Sequence, residues 1–178
     1  TSLIDPIPVQ YLRYRPQTQM LGGMAHHALG QREKAKPYFE GVLRSQPGNP
    51  AAKVLADIHL NERNPDAATA VLDGYLRAVP TDSQAVLLLA NAHLNSGRAA
   101  RAVQLLQDAL KTRDQPQLRA TLGLALVGAG RYQEAMRELE AVVAKSPTAL
   151  APALALGSIY VQSGQAAAAA RVANALAK

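Results

Sequence analysis

The chain repeats itself every 33 or 34 residues, and three separate tracks keep the same step. A small residue recurs at Gly23, Ala56, Ala90, Gly123 and Gly157, with spacings of 33, 34, 33 and 34. An alanine recurs in phase with it at Ala35, Ala68, Ala102, Ala135 and Ala169. Between them lies a turn position, Gly30, Arg63, Gly97, Gly130 and Gly164. A proline closes most copies, at Pro47, Pro80 and Pro147, while the third copy has Asp114 there with Pro116 two residues on. A period of this length marks one supersecondary unit per copy. Such a unit cannot bury its apolar face alone and must stack on its neighbours.

Each track has a physical reason. The clearest copy, Leu122 to Pro147, accommodates two short helices with Gly130 between them. Antiparallel helices approach to about 8 Å only where their side chains are small, which accounts for Gly123 and Ala135. Gly130 supplies the left-handed backbone that ends the first helix. Pro147 ends the second, because it lacks an N–H and restricts the residue before it. The sequence therefore predicts an all-α solenoid of about five helix–turn–helix units.

Composition agrees. Of 178 residues, 48% are hydrophobic but only 4% aromatic, so the apolar mass is Ala, Leu and Val, which suits helices packed through small side chains. Charged residues are 18% of the chain, too few for a charge-swollen disordered segment. The net charge is +6, yet the basic residues, among them Arg32, Lys34, Lys36, Arg77, Arg98, Arg101, Arg113, Arg131, Arg137 and Arg171, are scattered. No block of like charge marks a nucleic-acid arm, and the aromatics Tyr38, Tyr75 and Tyr132 fall on second helices, where packing accounts for them. With no cysteine, disulfides and thiol chemistry are excluded. No apolar run is long enough to span a membrane. The chain begins at Thr1 without an initiator Met or a signal segment, which we read as an excised piece of a longer protein.

The motifs Leu156-Gly157-x-x-Tyr160 and Ala35-x-x-x-Phe39, with Pro47, resemble the tetratricopeptide repeat and its pattern W-x₂-L-G-x₂-Y…A-x₃-F…P. The resemblance implies a right-handed α-solenoid, and anchoring the frame there gives a lead-in over residues 1–15, irregular or short-helical, and copies at 16–48, 49–82, 83–115, 116–149 and 150–178. The chain departs from the family where it has Trp, here Gln19, Ala52, Val86, Arg119 and Ala153. It also departs late in the second helix, where the family's Ala is replaced by Val42, Tyr75, Val142 and Leu176, with an Ala only at Ala109. Those larger residues are expected to loosen contacts between copies. The last helix, nearly all Ala, lacks the polar outer face that ends a soluble array. Either the native array continues beyond Lys178 or this face meets another molecule.

Chemistry is sparse. His26, His59 and His93 share one repeat position. A shared metal is ruled out by distance, since equivalent positions lie about 10 Å apart and zinc needs each nitrogen at about 2.0–2.1 Å. They are read as replacements for the family's Tyr between the two helices. Asp57-x-His59-x-x-Glu62 is the one acid–base cluster, but residues two apart on a helix point about 200° away from each other. There is no nucleophile elbow and no phosphate-cradling loop. Catalysis, cofactors and metals are not expected.

The resemblance implies a binding groove lined by the outward face of each first helix. Residue by residue this places Met20, Met24 and His27 in the first copy, with Gln17, and Lys53, Asp57, Leu60 and Asn61 in the second. The third contributes Leu87, Asn91, Leu94 and Asn95, with Gln84. The last two contribute Gln117, Leu124 and Val127, then Leu154, Ser158 and Val161, with Gln162. Family members that clamp chaperone C-termini use several basic residues here, and Lys53 with Asn91 and Asn95 is too sparse for that. Apolar residues broken by amides suit a protein segment, helical or extended. The expected function is a non-catalytic protein–protein interaction scaffold. Other readings are a docking or regulatory module of a larger enzyme, and self-assembly through the Ala-rich end. More narrowly, Gln46-Pro47-Gly48-Asn49-Pro50-Ala51-Ala52 is similar to bacterial tetratricopeptide lipoproteins of the PEP-CTERM/exosortase system. That likeness implies a periplasmic protein of the cell envelope linked to exopolysaccharide export; a cytoplasmic location is the alternative.

Overall fold

A computed structural model describes residues 15–177, so the expected lead-in lies outside the described residues apart from Arg15. Among the described residues the chain forms ten helices and no strand. In chain order they fall into the five helix–turn–helix copies that the period predicts. These are α1 (Pro16–Ala28) with α2 (Arg32–Ser45), α3 (Ala51–Asn61) with α4 (Pro65–Ala78), and α5 (Ser83–Asn95) with α6 (Ala99–Thr112). Then follow α7 (Pro116–Gly128) with α8 (Tyr132–Lys145), and α9 (Leu150–Gln162) with α10 (Ala166–Leu176). The chain divides into two compact units, Thr1–Ala92 and His93–Lys178, with the boundary inside α5.

The turns inside the hairpins share one solution. Gly130 has φ +72°, and its N–H donates to Val127 O at 3.0 Å, while the N–H of Arg131 donates to Leu126 O at 2.9 Å. This pair of bonds satisfies carbonyls that the helix end would otherwise orphan. Arg63 makes the same pair at φ +56°, the single described non-glycine residue in the left-handed region, where a Cβ costs about 1 kcal/mol. The prolines act at both helix ends. Pro47, Pro80 and Pro147 follow second helices, whereas Pro116, in the copy lacking the terminal proline, opens α7 at its first turn, where its missing N–H costs nothing.

Within the first unit α1 packs on α2, α2 on α3, and α3 on α4. Ala35, Phe39, Val42, Ala51, Leu55 and Ile58 form a continuous core there. Gly23 lies so close to the second helix of its hairpin that a Cβ would sit 2.6 Å from Phe39 Cε1. In the second unit α7 packs on α6, α8 and α9, and α9 on α10. Gly123 repeats the close approach, and a Cβ there would sit 2.5 Å from Leu139 Cδ2. The substitutions late in the second helix differ in burial, and Leu176 is half-buried. Val42, Tyr75 and Val142 are buried, so the larger side chains fill space. The Trp positions are filled by other means: Gln19 is fully buried with its amide against Gly41, and Arg119 bridges Asp114 (2.9 Å) and Glu138 (2.7 Å).

Tyr75 also anchors a polar lock. Its hydroxyl donates to Asp82 Oδ2 at 2.7 Å, Lys53 Nζ donates to the same oxygen at 2.9 Å, and Asp82 Oδ1 caps α5 by accepting from the N–H groups of Gln84 and Ala85. Burial by itself would raise the Asp82 carboxyl. The Lys53 ammonium, the Tyr75 hydroxyl and the Ala85 amide outweigh it and hold the group down at about 2. Burial, then the bond to Asp82, pushes the Tyr75 phenol up to about 12.

Two measurements follow from this packing. Gly123→Val should lower the melting temperature by the equivalent of about 1–3 kcal/mol, because the branched side chain meets Leu139. Gly157→Ala, at the same repeat position but with no atom within 4 Å, should raise it through helix propensity, by up to about 1 kcal/mol. For the lock, a lowered Asp82 stabilises the fold above its unfolded value near 4 and loses that contribution as pH falls from about 4 towards 2. Asp82→Asn should therefore cost on the order of 1–2 kcal/mol at pH 7 and flatten the acid limb of a stability–pH curve. The raised Tyr75 works in the opposite direction, contributing fully below pH 10 and losing that contribution as pH rises from about 10 towards 12.

Candidate functional site

The first helices carry the residues expected to meet a partner, and the structure sorts them into three groups. In the first unit Met24 is exposed (42%), as are Asp57, Asn61 and Asn91. Met20, His27, Lys53, Leu60 and Leu87 are half-buried. Several of these are already engaged. Met20 packs on the core of the first hairpins, and the His27 ring stands edge-on to Phe39 with centroids 6.5 Å apart. Lys53 is held by Asp82 and by Gln84 Oε1 (2.9 Å), so its charge is neutralised within the fold. Asn61 Nδ2 donates to both the backbone and the carboxylate of Asp57, at 2.9 and 3.0 Å.

In the second unit the face is more apolar and less encumbered. α7 and α9 lie side by side and present Gln117, Leu124 and Val127 next to Leu154, Ser158 and Val161. Leu154 (55%) and Val161 (67%) are among the most exposed large apolar side chains described. Leu124 and Val127 are half-buried, and Ser158 Oγ turns inward to donate to Leu154 O at 2.9 Å. Asn95 is exposed, while Leu94 is half-buried and reaches within 3.7 Å of a Cβ position at Gly128 on α7. The sequence reading missed Leu21 (64% exposed), Leu29 and Leu150, also large and uncovered. Their signal was weak: at the repeat position of Leu21, the later copies have Val54 and Leu88, half-buried, so that position reads as packing.

Electrostatics and chemistry at this face are quiet. The histidines at the shared repeat position are packing residues. His26 is buried, with its ring 5.4 Å from Tyr38 and Nδ1 2.8 Å from Gln31 Oε1, and His93 is buried as well. At the same position in the last copy, Tyr160 donates to Glu140 Oε1 at 2.6 Å, and burial followed by that bond raises its phenol to about 12. The cluster Asp57–His59–Glu62 does not assemble into one centre. Asp57 turns to Asn61, whereas Glu62 is 3.9 Å from His59 Nδ1 and pairs at 3.0 Å with Lys36. Among the described residues no three His, Cys, Asp or Glu converge to hold a metal ion. No helix there is long and apolar enough to cross a membrane.

Comparison with known proteins agrees with this architecture. The solved structure of MamA superposes with a TM-score of 0.79 at 19% identity, over 90% of this chain and 89% of that one. MamA of Desulfovibrio magneticus RS-1 (residues 41 to the end) gives 0.80 at 17% identity, over 90% and 92%. A thermophilic tetratricopeptide protein of Thermus thermophilus gives 0.65 at 22% identity, over 90% of each chain. At such identities the likeness concerns the fold. No curated protein matches the sequence. The family model described as tetratricopeptide repeat matches residues 26–85, 63–124 and 126–178, which is most of the chain. The chain therefore belongs to the tetratricopeptide repeat family, whose members generally mediate protein–protein interactions.

Proposed function

We propose that this protein is a non-catalytic scaffold that holds a segment of another protein on the outward face of its first helices. The observation that carries the reading is the exposure of Leu154 and Val161 beside Leu124 and Val127 on α7 and α9. Elsewhere in the unit large aliphatic residues such as Leu106, Leu118, Leu126 and Leu139 are fully buried. Apolar side chains left in water at adjoining first-helix positions, with Gln117 and Ser158 among them, form the kind of surface that anchors a peptide or helix. The lock on Lys53 argues further against a carboxylate clamp, since the one lysine on this surface is already paired.

The likeness of the Gln46–Ala52 turn to exosortase-associated lipoproteins supports a placement in the bacterial envelope, on the periplasmic side, in a system that exports exopolysaccharide. The repeat architecture is compatible with bridging components of such a machine.

Two experiments test these statements. The double variant Leu94→Asp, Leu124→Asp should retain its helical circular dichroism and lose capture of the partner by at least tenfold. Undiminished capture by a folded variant would remove the face from consideration. Separately, the native full-length protein should fractionate with the periplasm or membranes; recovery in the cytosol alone would reject the envelope assignment.

A further inference from the structure

We draw no further inference here: the strongest candidate, the open groove of about 430 Å³ between α2 and α4 lined by Leu43, Leu55, Val71 and Gly74, is bordered by the exposed Glu40 and Arg44, whose opposite charges select no partner, and nothing in the structure shows what covers it.

Discussion

The fold depends on one repeated contact, a helix crossing at which one partner has almost no side chain. At Gly23 and Gly123 the facing Phe39 and Leu139 lie so near that a methyl group would collide with them. At these two crossings close approach buries a large residue between short helices, which run to only 11–14 residues. Helices this short are marginal alone, so their stability has to come from packing. The crossing also sets where surface is left over: what points away from the second helix on each first helix has no partner within its own hairpin.

Polar groups serve this scheme more than any chemistry. The lock of Lys53, Tyr75 and Asp82 ties the second hairpin to the start of α5, and Arg119 does comparable work between α7 and α8. A charge that looks available in the sequence is thus consumed in the structure. His26 and His93 are likewise inside the packing. On the α7–α9 face the exposed residues are Gln117, Leu154, Ser158 and Val161, none of them charged.

The terminal hairpin shows the same rule by exception. Its backbone follows the pattern, including the left-handed turn at Gly164, yet the large residue of the crossing is replaced by Ala173. A hairpin can fold with that gap because its neighbour α8 supports α9.

The period, the turns and the class of fold were legible in the sequence, because Gly, Pro and Ala act through local backbone freedom and size, which spacing alone reveals. Gly130, Gly123 and Ala135 could be assigned their tasks from their places in the repeat. Local pattern could not tell that Tyr75, at a position where the family has Ala, would bury its ring and bind Asp82. Nor could it tell that Lys53 would be paired, that Met20 would join the core, or that Leu21 and Leu150 would be exposed. Gly157 reads like Gly123, yet it is open because Ala173 faces it where Leu139 closes the earlier copy. Those outcomes depend on which atoms arrive from elsewhere in the chain. A crossing is filled or empty only when both helices are in place, and that is a property of tertiary packing.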